Sequence, residues 1–136
     1  MAEAAKTVKR QFRNINITQL ANYRLPLAGL ISILHRVSGA LMFLMLPFVL
    51  YLLDQSLISE STFEYFKGIA SNWFVKLIVL GLAWAFLHHF CAGVRHLFMD
   101  NHIGIEKASS RQSAVAVFAV SLPLTAVVAL KLLGAF

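Results

Sequence analysis

The chain has 136 residues, of which 59% are hydrophobic and only 13% are charged. Ordinary soluble domains are about 45–50% apolar and about 25% charged, so this composition excludes a soluble globular enzyme and a disordered chain. Twelve Lys and Arg residues against six Asp and Glu residues give a formal charge of +6. The basic residues lie mostly beside apolar stretches, which indicates membrane topology and no nucleic-acid partner.

The N-terminal segment, residues 1–24, is polar and basic. It has no apolar stretch before Leu25, so it is not a cleavable secretory signal. Its lysines and Glu3 are not typical of a transit peptide. Because the chain also starts at Met1, we expect a multi-pass protein of a bacterial inner membrane in preference to the mitochondrial inner membrane.

Three apolar stretches follow, at about residues 25–53, 73–98 and 113–136. Each is long enough to cross a hydrocarbon core of about 30 Å at about 1.5 Å per residue. Pro47 and Pro123 lie inside two of them, where membrane helices tolerate proline. The sequence therefore predicts an all-α membrane protein, one anchor domain over residues 1–136 with three transmembrane helices in the lipid bilayer.

The two connections between the spans are short, and their polar residues predict helix starts. Ser61-Thr62-Phe63-Glu64 matches a capping box and predicts a short interfacial helix in the first connection. Asn72, with Ser71 before it, is a candidate cap for the second span. Ser109, with Gln112 three residues later, is a candidate cap for the third span.

The distribution of charge predicts the orientation in the membrane. The second connection carries Lys107 and Arg111, whereas the first carries Lys67 against three acidic residues. Five basic residues precede the first span: Lys6, Lys9, Arg10, Arg13 and Arg24. Because cytoplasmic segments carry the excess of Lys and Arg, the N-terminus and the second connection are expected in the cytoplasm, and the C-terminus outside.

Ionisable side chains lie inside the first two spans. His35 is about 15 Å from the predicted cytoplasmic end of the first span, and His89 is about 13.5 Å from that end of the second. Arg36 is beside His35, while Arg95 and His96 are nearer the cytoplasmic surface. Ionisable groups within a span usually face a protein interior or a cavity. The pattern predicts a polar site in the cytoplasmic half of the bundle.

Spacing along the helices groups these residues further. His89 and His96 share a helix face with the small residues Ala92 and Gly93. Such a groove either lets another helix pack closely or admits a flat macrocycle with His89 on its iron. On the first span, Ser32 and Arg36 are four residues apart, so both donors can point at one acceptor oxygen.

Each of these residues also has an explanation without a cofactor. A histidine in an apolar helix is usually packed and hydrogen-bonded. Arg36 is also explained by a charge pair with another subunit. Ser32 is also explained by a hydrogen bond to its own helix backbone. Arg95 and His96 suit interfacial side chains that extend toward water. His88 points about 100° away from His89, which favours a structural or partner-contact role. Cys91, the single cysteine, excludes an intramolecular disulfide and suits a small buried position.

Two motifs make the chain similar to a known family. They are RLP at residues 24–26 followed by SILHRVSG at residues 32–39, and HFCAGVRHLFMD at residues 89–100. Together they resemble the cytochrome b556 membrane-anchor subunits of succinate dehydrogenase, the succinate:quinone oxidoreductase of respiratory complex II. The resemblance extends over nearly the whole chain.

The resemblance implies one haem b held between two different membrane subunits. Its axial histidine matches His89, and the second anchor subunit supplies the other ligand. His35, Arg36, Arg95 and His96 match residues near the haem propionates. In the family, an aromatic residue can occupy the position that is His88 here. Because this chain has two adjacent histidines, both are candidates for the iron ligand, and the helix face shared with His96 favours His89.

The resemblance also implies a ubiquinone site, with Ser32 and Arg36 as the quinone-binding residues, near the face where the iron–sulfur subunit docks. Electrons from succinate would pass through the flavoprotein and the iron–sulfur subunit to the quinone, and the succinate site itself lies outside this subunit. Two alternatives remain open at this point. One is a quinol:fumarate reductase anchor of the same architecture, and the other is a haem-free structural anchor or small transporter.

Overall fold

The computed structural model describes residues 16, 18, 19 and 23–135. These residues form four α-helices and no β-strand: α1 (Leu27–Ile58), α2 (Glu60–Ala70), α3 (Trp73–Asp100) and α4 (Lys107–Leu132). Helices α1, α3 and α4 are long and apolar enough to cross a membrane. The all-α fold with three candidate transmembrane helices is thereby confirmed, while the basic residues at positions 6, 9, 10 and 13 lie outside the described residues.

The first long helix is longer than the apolar stretch that predicted it. Helix α1 has 32 residues, which corresponds to about 48 Å at 1.5 Å per residue and exceeds the hydrocarbon core of about 30 Å. Pro47 lies inside α1 and Pro123 inside α4, as expected. Only Ser59 separates α1 from α2, so the chain turns at this one residue.

The short helix α2 exists as predicted, but the capping box assigned to it from sequence is wrong. Ser59 Oγ accepts a hydrogen bond from the Thr62 backbone N–H at 3.2 Å, and Thr62 Oγ1 accepts one from the Ser59 N–H at 3.1 Å. The box therefore starts two residues before Ser61 and uses the hydroxyl of Thr62 as its second acceptor. Glu64 instead pairs with Lys67 at 2.8 Å.

Asn72 caps α3 as predicted, because its Oδ1 accepts from the Phe74 N–H at 2.9 Å. The predicted cap of α4 at Ser109 is wrong. That helix begins at Lys107 after Glu106, whose side chain makes no capping hydrogen bond. The connection contains two residues with left-handed backbone, His102 at φ 59° and Gly104 at φ 73°. They reverse the chain within a few residues, so α4 starts before Ser109 is reached.

Helix α3 is central, with α1 and α4 packed against it. Ile31, Ala92, Ala114 and Val117 form a buried apolar cluster toward the end of the bundle that holds the second connection, with Cys91 half-buried against them. Small residues on α3 and α4 let the two backbones approach closely. Large apolar side chains elsewhere, such as those on the second half of α1, are exposed on the surface of the chain and are available to lipid or partner chains.

Candidate functional site

The polar contact between α1 and α3 is built around His89. Its Nδ1 lies 2.9 Å from the backbone oxygen of His35 and 3.3 Å from Ser38 Oγ. A carbonyl oxygen only accepts, so Nδ1 carries a proton in this bond, and in the neutral imidazole Nε2 is the nitrogen with the free lone pair. No described residue forms a hydrogen bond with Nε2. Histidines that bind metals commonly donate their second ring nitrogen to a carbonyl in this way, so the geometry is compatible with a ligand role for Nε2.

The structure brings together the three histidines that the sequence placed in one half of the bundle. The rings of His35 and His89 stack, with centroids 4.1 Å apart and planes inclined by 13°. The ring of His96 lies 5.0 Å from that of His35. All three rings are half-buried, so they form a cluster at the edge of the α1–α3 contact instead of inside the core.

Two residues of α1 that the sequence reasoning did not assign hold the His89 ring in place. Ser38 is buried, and its hydroxyl donates to the His35 oxygen at 3.0 Å while lying beside His89 Nδ1. A Cβ atom on Gly39 would lie 2.7 Å from His89 Cε1, so any side chain there would collide with the ring. The spacing of three residues between His35 and Ser38 was a usable signal, since such pairs share a helix face.

Ser32 and Arg36 lie on α1 one turn apart. Ser32 is half-buried and Arg36 is exposed at the surface of the chain. Within the described part of the chain, neither side chain forms a hydrogen bond or an ion pair, so the alternative in which Ser32 bonds its own helix is not what the structure shows. Both donors are therefore open to a ligand or a partner subunit.

Arg95 lies on a different side of α3. It is only 5% exposed, and its Nε donates to Ser113 Oγ at 3.0 Å. Its Nη2 donates to Ser110 Oγ at 3.0 Å and to the Ser110 backbone oxygen at 3.4 Å. The guanidinium therefore joins α3 to α4, and the structure does not bring it into the histidine cluster. Two serines three residues apart at the start of α4 are the sequence signal for this contact.

His88 shares the α4-facing side of α3 with Arg95. It is 0% exposed, and its ring lies 5.3 Å from that of Trp84 and 5.5 Å from that of Phe118. These neighbours of His88 belong to this same chain, which agrees with a structural role, one of the two roles expected for it. The two adjacent histidines thus have different neighbours: the His88 ring lies against Phe118 of α4, and the His89 ring bonds the His35 backbone of α1.

The sequence of this three-span chain matches a known family. The model of the succinate dehydrogenase/fumarate reductase transmembrane subunit family matches residues 10–128. The chain belongs to this family. The resemblance drawn from the two motifs is confirmed, and this transmembrane subunit is a multi-pass membrane anchor of a succinate dehydrogenase complex.

Curated relatives of this transmembrane subunit come from several bacteria. It is 36% identical to the succinate dehydrogenase cytochrome b556 subunit of Coxiella burnetii over 110 residues, which is 80% of this chain and 87% of the relative. For the subunit of the same name from Paracoccus denitrificans, the identity is 32% over 102 residues, 75% of this chain and 78% of the relative. For that of Rickettsia prowazekii it is 28% over 120 residues, 87% of this chain and 94% of the relative.

Proposed function

We propose that this subunit anchors succinate dehydrogenase in a bacterial cytoplasmic membrane, binds haem b together with a second anchor subunit, and contributes to a ubiquinone site. The observation that carries the proposal is the 2.9 Å bond between His89 Nδ1 and the His35 backbone oxygen. It fixes the ring orientation and leaves Nε2 as the ligand atom. The name cytochrome b556 of the bacterial relatives supports the same cofactor.

The residues present fit a haem. An iron ligand must be a neutral imidazole in a position that does not rotate, and the His35 carbonyl together with Gly39 restricts the His89 ring in this way. His35, His96 and Arg36 supply donors for the carboxylates of the group. When bound, the haem supplies a one-electron redox centre in the membrane. Arg95 is left out of this assignment because its guanidinium is bonded to α4.

The quinone role rests on Ser32 and Arg36. A quinone needs a few hydrogen-bond donors to its carbonyl oxygens within a mostly apolar pocket. Ser32 supplies a hydroxyl and Arg36 a guanidinium on one face of α1, and both are open toward the outside of the chain. We place the iron–sulfur subunit, with the flavoprotein beyond it, at this end of the bundle. The excess of Lys and Arg at this end supports a cytoplasmic position, with the N-terminus inside.

The experiment that tests the haem assignment is a reduced-minus-oxidised absorption spectrum of the purified complex. We expect His89→Leu to lose or alter the low-spin b-type spectrum, because leucine offers the iron no ligand atom and the His35 and His96 rings occupy other positions in the cluster. The matched control is His102→Asn, since His102 is exposed in the connection before α4 and asparagine accepts its left-handed backbone.

Two results would contradict the assignment. An unchanged spectrum in His89→Leu, with loss of the spectrum in His88→Leu, would assign the iron to His88. The absence of a b-type band from the unaltered complex would favour a haem-free anchor instead.

A further inference from the structure

A second group of polar atoms is buried on the opposite side of α3 from the histidine cluster. Trp84 Nε1, both ring nitrogens of His88 and Ser121 Oγ are buried and have no hydrogen-bond partner among the residues that the structure describes. His88 and Ser121 are both 0% exposed. Buried polar groups in native proteins are almost always paired, with protein or with ordered water, because leaving them unpaired is costly.

The register of α3 against α4 places these three residues within about one helical turn of each other. The Arg95 side chain contacts Ser110 and Ser113, and the His88 ring contacts Phe118, so residue numbers rise along α4 as they fall along α3. Continued in the same register, Ser121 lies opposite Ala85. Trp84 and His88 flank this position on α3, and their rings are 5.3 Å apart.

The side chains around this position differ in size. Ala85 is 2% exposed, and both Ala85 and Ser121 are small, whereas the neighbouring side chains are the rings of Trp84, His88 and Phe118. The backbone of Ile31 on α1 also lies close to His88, but outside hydrogen-bonding geometry. The unpaired atoms include an indole donor, a donor and an acceptor on a neutral imidazole, and a hydroxyl that does both.

We propose that Trp84, His88 and Ser121 bind a buried water molecule that joins α3 to α4 within the membrane. Water both donates and accepts, and buried waters make two to four hydrogen bonds. The two His88 nitrogens point away from each other, so one water bonds only one of them and makes three bonds in all, with Trp84 Nε1 and Ser121 Oγ as the other two partners. The water holds the His88 ring toward α4 and so orients the start of the segment that presents His89 to α1. The proposal goes beyond the haem and quinone roles and does not depend on either.

A double-mutant cycle in the purified complex tests the coupling. Ser121→Ala, His88→Phe and the double variant are compared by the midpoint of thermal unfolding of the complex. We expect each single variant to lower the midpoint, because it leaves the other side chain short of a hydrogen bond. The double variant is expected to lower it by less than the sum of the two. Additive shifts would overturn the proposal.

The matched control is Thr125→Val, one turn farther along α4. The Thr125 hydroxyl donates to the backbone oxygen of Ser121 in its own helix at 2.7 Å, so it is already satisfied. We expect the shift in unfolding midpoint from Thr125→Val to add to the shift from His88→Phe. If Thr125→Val and His88→Phe were coupled as strongly as Ser121→Ala and His88→Phe, a specific site at Ser121 would be refuted.

A structure of the unaltered complex at a resolution that shows ordered water decides the question if a variant does not assemble. Density within hydrogen-bonding distance of Ser121 Oγ and a His88 nitrogen is expected. A direct bond between the two side chains, or no density between them, would overturn the proposal.

Discussion

Replacement of Gly39 by alanine is the sharpest test of how α1 holds the His89 ring. The new methyl carbon would lie 2.7 Å from His89 Cε1, whereas ordinary contacts of this kind are 3.4–4 Å. The ring and α1 must therefore separate by about 0.7 Å, the difference between 3.4 and 2.7 Å. If the ring moves directly away from α1, the 2.9 Å bond from Nδ1 to the His35 oxygen lengthens to about 3.6 Å, beyond hydrogen-bonding distance.

Relative to a glycine-to-alanine change at an open helix position, we expect Gly39→Ala to destabilise the complex by about 1–3 kcal/mol, the range for inserting a methyl group into a packed contact. The loss of the Nδ1 bond should also shift or weaken the haem spectrum, because the bond sets the orientation and basicity of the ligand. The assays are the midpoint of thermal unfolding and the reduced-minus-oxidised spectrum.

The control is Gly81→Ala, at a glycine in α3 where a Cβ meets nothing within 4 Å. Both variants gain the same helix propensity, about 1 kcal/mol, so the difference between them reports the contact with His89. Equal stability and equal spectra for the two variants would refute the reasoning.

Three further predictions follow from the other contacts. Ser32→Ala and Arg36→Leu should each lower quinone reduction by roughly one to two decades, equivalent to about 1.5–3 kcal/mol. Succinate oxidation with a soluble acceptor upstream of the quinone should stay near normal, and a parallel fall of both activities would show a role in assembly instead. Arg95→Met should lower the thermal midpoint by the equivalent of about 1–3 kcal/mol through loss of its bonds to α4. An altered haem spectrum at unchanged stability would instead place Arg95 beside the haem carboxylates. A reporter fused to the C-terminus should report the outer side of the membrane, and a cytoplasmic signal would mean that one of the three helices does not span it.

The sequence predicted how deep the polar site lies along the helices better than it predicted which face of α3 each residue occupies. His35 and His89 were expected at one level from their distances to the span ends, and their rings stack in the structure. Arg95 and His96 were grouped because both lie near the same end of the span. Adjacent residues differ by about 100° around a helix, however, and sequence alone does not say which neighbour covers which face. The structure directs Arg95 to α4 and His96 to the α1 side.

The helix caps show a similar limit of sequence reasoning. Two overlapping patterns precede α2, one starting at Ser59 and one at Ser61, and the second has the glutamate that defines a typical capping box. The first is the one used, with Thr62 as the reciprocal residue. Which of the two patterns caps α2 depends on where α1 ends. Helix α1 continues to Ile58, past the end of the predicted apolar stretch, so that stretch does not indicate the last turns of the helix.

Arg36 also has a consequence for the life of the subunit before assembly. Its guanidinium lies within a membrane-spanning helix, and it is exposed on the surface of the chain. A charge facing lipid near the centre of a helix costs about 2.5–3.5 kcal/mol on biological insertion scales. A copy of this chain without its partners therefore leaves an unfavourable charge toward lipid, and covering Arg36 contributes to the free energy of assembly.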